Sequence, residues 1–332
     1  MADRYEAEIL DRSDLDGWDR LVGHASGGTL FNTGRWFRIL GETLGKDWLV
    51  IGCRKNGVLV GGCAGATTRR AGLDLFLPPP LTAYAGMVLA DPESEKACEG
   101  TEDTLRRASV LESALRLRFA LSWTVHHPST PDLRPFVWNG WESIPRYTYL
   151  LPLRADGDLW SGLKSSLRNK IRKAEKAGIR ARRAEDLSGA IRFYADSYEK
   201  HGASPPIPPE RLLAWFDGLR REGIARGYLA EDERGEPLAF RIALVDGERA
   251  YDWVAGADTA RLSDGATPLL YWKEIEDLRA DREFLDMMGA NTPTIAGFKS
   301  GFGGDLVPYW ETRRFRSPLV RALFRARGRF GR

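Results

Sequence analysis

GRWFRILGETLGKDWLVIGCRKNGVLVGGCAGA, residues 34–66, carries the pattern from which the fold is read. Asn32-Thr33 precedes Trp36, Phe37, Ile39, Leu40 and Leu44, a capped helix by its spacing. The strand WLVIGC follows, then Lys55-Asn56-Gly57, then the strand VLVGGCAGA, with Asn56-Gly57 read as a two-residue hairpin turn. The same order returns downstream. PPERLLAWFDGLRREG, residues 208–223, predicts a helix carrying Leu212, Leu213, Trp215, Phe216 and Leu219; GYLAED, a turn at Glu233-Arg234-Gly235-Glu236 and PLAFRIALV come next. Trp36 to Gly57 spans 21 residues, Trp215 to Gly235 spans 20, and matching features lie about 179 residues apart, so a mixed α/β unit reads as duplicated.

The remaining elements fit that plan. LRFALSWTVHH and RYTYLLPLR read as strands, and KSSLRNKIRKAEKAG as a helix capped by Ser161 or Ser165 and ended by Gly178. RAYDWVAGAD, a turn at Ser263 to Thr267, the helix PLLYWKEIEDLRA, the strand EFLDMMGA, the Gly-punctuated GFKSGFGG and the strand LVPYWETRRF complete the second half. The expected class is α/β with mixed sheets, divided into residues 1–149, 150–316 and a basic tail, 317–332.

Composition narrows the function classes. A chain of 332 residues with 43% hydrophobic and 29% charged residues is a folded, water-soluble type and not a disordered or fibrous one. The longest uncharged stretch, Leu75 to Ala90, contains Pro78, Pro79 and Pro80 and reads as no spanning helix. MADRYEAEIL lacks a secretory signal pattern, so a cytoplasmic location is expected. With the hairpin turn at Asn56-Gly57, Cys53 faces Val60 and Cys63 faces Val50, so those thiols are not opposite partners. Neither Cys98 nor His24, His126, His127 and His201 completes a zinc-like spacing, and no metal site is expected. Net charge is only +3, although 39 of the 49 basic residues are arginine.

Several segments hold candidate chemistry. In FLDMMGANTPTIAGFKSGFGGDLVPYW, residues 284–310, an apolar strand empties into a loop with Asn291, a lone Lys299 between Phe298 and Ser300, and Gly297, Gly301, Gly303 and Gly304, which let backbone approach a ligand. A lysine beside aromatic residues stabilises developing negative charge, or it is an ordinary exposed lysine. Lys164 to Arg183 holds nine basic residues against Glu175 alone, enough to track the phosphates of tRNA, a nucleotide-sugar or a lipid diphosphate, with Arg168 and Lys170 on the acceptor side; the alternative is a solvated helix face. Arg241 interrupts an apolar strand and either faces solvent or, if buried, needs a carboxylate or substrate phosphate. SPLVRALFRARGRF groups Leu319, Val320, Leu323 and Phe324 beside Arg321, Arg325, Arg327 and Arg329, as in a basic amphipathic helix on an anionic membrane surface or one packed on the protein.

The DMMGAN, FKSGFGG and LVPY elements, with RNKIRKAEKAG, resemble the FemAB-like acyltransferases of the GNAT superfamily, built of two GNAT-like domains in tandem. The resemblance covers most of residues 150–315, and FNTGRWFRIL and PPPLTAYAG add to it. It implies that Phe298 and Lys299 lie at an acyl-transfer centre, with Lys299 stabilising a tetrahedral oxyanion and water, Asp286 or a substrate group taking the proton. ARLSDGATP is similar to the diphosphate-cradling loop of acetyl-CoA users: Arg261, Gly265 and Ala266 match, Ser263 and Thr267 flank them, and Asp264 replaces a glycine. Tyr251 and Trp253, on one face of the preceding strand, are implied as donor-pocket residues, and Tyr84 as an acceptor residue in a cleft between halves.

The expected function is amide formation on a small-molecule or lipid-linked amine acceptor, with acyl-CoA as co-substrate, in cell-envelope or polysaccharide biosynthesis. Direct attack by the bound amine is expected, because no Cys/His or Ser/His/Asp arrangement stands out. One alternative is an aminoacyl-tRNA-dependent transferase acting on a peptidoglycan precursor. Another is a non-catalytic accessory protein of an envelope polysaccharide pathway, peripheral at the inner membrane face.

Overall fold

The computed structural model describes residues 3–92, 94–154, 157–200 and 202–326. The chain forms two compact units, residues 1–146 with 309–332 and residues 147–308. His201, Arg327 and Arg329 lie outside the described residues, as do the side chains of Ser263 and Arg325.

Unit 1 contains β1 (Tyr5–Ile9), α1 (Leu15–His24), α2 (Gly34–Leu44), β2 (Trp48–Lys55), β3 (Val58–Arg70), β4 (Leu73–Leu77), β5 (Met87–Leu89), α3 (Ala97–Arg118), β6 (Leu121–His126) and α4 (Arg134–Trp138). Thr33 caps α2, its hydroxyl accepting from the Trp36 amide at 3.1 Å, and Gly45 ends the helix at φ 61°. Asn56 (φ 51°) and Gly57 (φ 86°) form the tight β2–β3 turn that the dipeptide predicts. A bulge between Cys53 and Arg54 shifts the register, so that Cys53 faces Gly61 and Cys63 faces Ile51. Val60 is the extra residue, which corrects the expected facing of Cys53 with Val60 and of Cys63 with Val50. The sheet runs β1-β2-β3-β4-β6, and β5 also pairs with β3. The apolar face of α3 (Leu111, Leu115) packs with Ile51, Phe76, Phe136 and Trp141.

Unit 2 begins within β7 (Glu142–Pro152) and continues with α5 (Leu159–Gly162), α6 (Ser165–Lys176), β8 (Arg180–Ala184), α7 (Arg192–Glu199), α8 (Pro209–Arg221), β9 (Ala225–Glu231), β10 (Pro237–Asp246), β11 (Arg249–Ala257), α9 (Ala266–Arg279), β12 (Phe284–Asp286) and α10 (Pro293–Lys299). Its sheet is ordered β7-β12-β11-β10-β9-β8, antiparallel except for the parallel pair β11–β12. Leu167, Ile171 and Ala174 of α6 meet Leu270, Ile275 and Leu278 of α9 in the main core cluster, beneath Tyr228, Ala243 and Leu285 of the strands. The helix–strand–turn–strand order of α2–β2–β3 recurs as α8–β9–β10.

Three expectations change. The second domain does not run to residue 316: β13 (Asp305–Phe315) crosses the boundary, and its residues 310–315 pair with β6 in unit 1. Neither Ser161 nor Ser165 caps α6, whose N-cap is Lys164 without a side-chain bond. The apolar residues of α11 (Pro318–Ala326) do not share one outward stripe. Val320 is buried and Phe324 packs beside Phe315 and Leu121, leaving Leu319 and Leu323 exposed. Arg321 pairs with Glu142. None of the described helices is long and apolar enough to cross a membrane.

Packing around the first hairpin gives a stability prediction. A Cβ on Gly62 would lie 2.7 Å from the Trp18 ring and 2.8 Å from the Ile51 carbonyl oxygen, whereas one on exposed Gly23 of α1 meets nothing within 4 Å. Gly62→Ala is therefore expected to cost about 1–3 kcal/mol, and Gly23→Ala to stabilise by about 0.5–1 kcal/mol. Urea unfolding of both variants checks the contrast; equal midpoints would refute it.

Candidate active site

The site begins with two charges placed inside apolar strands. Arg241 interrupts LAFRIALV of β10, and Asp252 stands between Tyr251 and Trp253 of β11. Both are buried, and a register shift between Ile242 and Ala243 leaves Trp253 as the extra residue of a bulge beside Asp252. The Arg241 guanidinium donates through Nε to Glu274 of α9 and through a terminal nitrogen to Asp252 Oδ1. It lies 3.7 Å from the Tyr271 ring centroid. The other Asp252 oxygen, Oδ2, meets Lys299 Nζ at 2.9 Å. Lys299 also donates to the Met288 carbonyl at 2.8 Å and to the Met287 carbonyl. An ammonium has three N–H donors, so this set uses all of them.

The chain Glu274–Arg241–Asp252–Lys299 therefore links α9, β10, β11 and the last residue of α10. Burial raises the Glu274 carboxyl to about 7, and the Asp252 charge adds to that while Arg241 opposes it. Burial would also raise Asp252, but the Arg241 and Lys299 charges outweigh it and hold that carboxyl below its ordinary value. Burial keeps the Tyr251 and Tyr271 hydroxyls protonated, each raised above the usual phenol value.

Beside Lys299 the sheet opens. Strand β11 pairs with β12 only from Arg249↔Phe284 to Tyr251↔Asp286, then continues to Ala257 with β10 on its other side. Past Asp286 the chain follows β7 instead: the amides of Met287 and Ala290 donate to the carbonyls of Tyr149 and Tyr147. The turn at the fork is strained, with Met288 at φ 52° ahead of Gly289 at φ 59°. Asp286 braces it by accepting from the Met288 amide at 2.9 Å and from the Thr148 hydroxyl.

The other expected residues occupy varied positions. Phe298 is half-buried, stacked 5.9 Å from Tyr271 and edge-on to Phe302. Trp253 meets Trp215 of α8 edge to face at 4.9 Å. Asn291 is exposed and accepts from the Tyr147 amide at 2.8 Å, which anchors β7. Arg261 donates to Asp232 at 2.8 Å and to Asp264 at 3.1 Å. Gly265 takes φ 82° ahead of Ala266, the buried first residue of α9, and half-buried Thr267. A Gly265 Cβ would lie 2.9 Å from the Lys170 carbonyl oxygen of α6. Lys170 is exposed, and half-buried Arg168 donates to the Ser161 carbonyl. Tyr84 belongs to unit 1, where it is 2% exposed among Phe31, His127 and Tyr309, an enclosed aromatic contact.

Two sequence readings need correction. Lys299 is the last residue of α10, which starts at Pro293, and is not a loop lysine. Gly301 serves helix packing, since its Cβ would strike Leu167 of α6 at 2.3 Å. Sequence reasoning also missed Glu274 and the pairing role of Asp252. The signal for Glu274 was its place on the apolar stripe Leu270, Tyr271, Ile275, Leu278 of α9. Among the described residues no group of three His, Cys, Asp or Glu side chains is placed to hold a metal ion.

Residues 161–300 match the family model of the acetyltransferase (GNAT) domain. No curated protein matches the sequence. Among solved structures, FemX is similar at 14% identity and a TM-score of 0.64, over 92% of this chain and 96% of that one. A tandem GNAT protein from the clavulanic acid biosynthesis pathway is similar at 12% identity and a TM-score of 0.55, over 95% and 99%. L-PGS from Bacillus licheniformis is similar at 12% identity and a TM-score of 0.54, over 96% and 97%. At these identities the structural likeness establishes the fold.

The raised Glu274 carboxyl has a measurable consequence. The folded state holds that proton more tightly than the unfolded chain, so its contribution is full below about pH 4.5 and is lost as pH rises towards about 7. Wild-type protein is expected to lose stability relative to Glu274→Gln between pH 5 and 8 in urea titrations. Parallel curves would refute the assignment.

Proposed function

We propose that this chain, a FemAB-like acyltransferase whose second unit carries the GNAT acetyltransferase domain, joins an acyl group to an amine acceptor at the fork between β11 and β12. The observation that supports this reading most directly is the free edge of β11. Beyond Tyr251 that edge has no strand partner on the β12 side among the described residues, and the Lys299 ammonium sits at the fork. An unpaired edge presents N–H and C=O groups in a row, which an extended, amide-bearing donor arm satisfies as an added strand. The pantetheine arm of acyl-CoA has that chemistry.

The reaction then needs orientation and a positive field more than a covalent intermediate. The acceptor nitrogen attacks the thioester carbonyl carbon, the C–N bond forms, and the carbonyl oxygen takes the negative charge. Collapse breaks the C–S bond and releases the thiolate, and the amine proton passes to water or a substrate group. When Glu274 holds its proton, Arg241 and Lys299 face one carboxylate, Asp252, and the cluster's net positive charge favours the oxyanion. Lys299 acts while holding the Met287 and Met288 carbonyls; Asp286 holds the same turn. Tyr251 and Trp253 pack the strand that carries the donor, with Phe298 against the cluster. Gly265, Ala266, Ser263 and Thr267 lead the donor's diphosphate onto α9, where Arg261 exchanges a carboxylate for phosphate. Arg168 and Lys170 of α6 attract a phosphate-bearing acceptor, and Asn291 shapes the rim beside β7.

One observation favours a second reading. Arg261 is held by both Asp232 and Asp264, which weakens a diphosphate cradle, whereas the exposed basic residues of α6 suit a polyanionic donor such as aminoacyl-tRNA. In either case the acceptor amine is a small-molecule or lipid-linked one of the cell envelope, and exposed Leu319 and Leu323 bring the tail to an anionic inner membrane face. The accessory-protein alternative has no comparable support, because the fork and its charge cluster are present.

Two measurements test the proposal. Calorimetric titration with acetyl-CoA, longer acyl-CoAs and aminoacyl-tRNA should give a micromolar response to a CoA thioester; a tRNA-only response would replace the donor, and silence with every donor would overturn the reading. Lys299→Ala should lower kcat by a hundredfold or so while donor Kd changes less than about threefold. Its unfolding free energy should fall by about 3 kcal/mol, because two carbonyls and a buried carboxylate lose a partner. Undiminished turnover would remove Lys299 from the site.

A further inference from the structure

Unit 1 contains a groove of about 820 Å³ that has no part in the fork. It lies between the start of α3, the loop 130–133 and α4, and Trp310 forms part of its wall. Three large apolar side chains line it yet stay open to solvent: Val137 at 57%, Trp138 at 65% and Trp310 at 41% exposure. An exposed indole forgoes much of its burial energy, and two in one concave site mark a surface shaped for a ligand.

The polar part of the wall defines the ligand. Thr130 Oγ1 and Ser143 Oγ are buried and find no hydrogen-bond partner among the described residues. Buried hydroxyls of this kind are costly unless a ligand or water completes them. Thr101 and Thr104 add hydroxyls on the α3 side. The groove's charges cancel: Arg134 grips Asp132 through Nε at 3.0 Å and a terminal nitrogen at 2.6 Å. Its guanidinium also lies 5.6 Å from the Trp138 ring centroid.

These features exclude the simpler ligand classes. A phosphate-bearing ligand finds no net positive charge among the described lining residues, because Asp132 balances Arg134. An acyl chain covers the indoles but leaves the orphaned hydroxyls unsatisfied. A saccharide does both: its C–H faces stack on flat aromatic rings and its hydroxyls both donate and accept. At about 820 Å³ the groove falls in the range of small-molecule sites and has room for more than one sugar ring.

We propose that this groove binds a neutral oligosaccharide, with pyranose faces on Trp138 and Trp310 and hydroxyl contacts to Thr130 and Ser143. The inference does not rest on acyl transfer, since no residue of the fork lines the groove.

The full chain is titrated by calorimetry with cellotriose, maltotriose and chitotriose, and with adenosine and laurate as competing classes. At least one trisaccharide is expected to bind saturably below about 10 mM, and Trp138→Ala/Trp310→Ala should weaken it tenfold or more. Thr130→Ala/Ser143→Ala should weaken it severalfold. Both indoles are surface groups, so unchanged thermal melting of the first variant separates lost binding from lost fold. If that variant melts early, Trp138→Ala alone provides the test. Absence of binding by all three sugars, binding insensitive to the indoles, or binding of adenosine or laurate only would overturn the proposal. Loss of donor binding at the fork with sugar binding intact would leave it standing.

Discussion

Unit 2 is organised around a guanidinium that cannot reach water. Arg241 is 4% exposed, and a charge taken that far from solvent is tolerated only when matched by opposite charge in good geometry. Asp252 and Glu274 supply the match from β11 and α9, Tyr271 covers the guanidinium face, and Lys299 balances Asp252 from α10. Four elements are thereby held in one register. A slip of one residue in β10 would turn Arg241 to the opposite face of the sheet and leave two carboxylates and an ammonium buried with incomplete pairing. The bulge that isolates Trp253 is part of the same solution, because it sets the strand register beside Asp252.

The fork follows from that arrangement. A parallel pair such as β11 and β12 could continue past Tyr251 if the chain stayed extended, but Met288 and Gly289 turn into the left-handed region. The turn leaves the Met287 and Met288 carbonyls in need of donors, and Lys299 supplies them. Asp286 satisfies the Met288 amide from the other side. One ammonium and one carboxylate thus hold a strained turn open, and the cost of that strain is met by the buried ion pairs behind it.

The features legible in the sequence were the local ones. Asn56-Gly57 specifies a tight hairpin through the backbone freedom of two adjacent residues, and Thr33 caps its helix through its own hydroxyl. Arg241 was recognisable as a charge in an apolar run. Its partners were not legible, because Glu274 and Asp252 meet Arg241 only through pairing and packing between distant segments. Strand registers were hidden for the same reason: a single bulge at Cys53/Arg54 moves every cross-strand partner beyond it by one residue. Gly301 was ambiguous too, since close approach to a ligand and close approach to Leu167 call for the same missing Cβ.

Exposure also separates Arg241 from Arg261. Arg241 and Arg261 each hold two carboxylates, and a drawing of contacts makes them equivalent. The Arg241 side chain is 4% exposed and that of Arg261 is 39% exposed, so their pairs differ in strength and in what replaces them. An exposed ion pair contributes about 0–1 kcal/mol, so Arg261 can exchange the Asp264 carboxylate for a stronger anion. No ligand can make that exchange with Arg241, whose partners are enclosed by Tyr271 and the strands. The same residue type therefore serves as a fixed support in one place and as an exchangeable contact in the other, and burial alone draws the distinction.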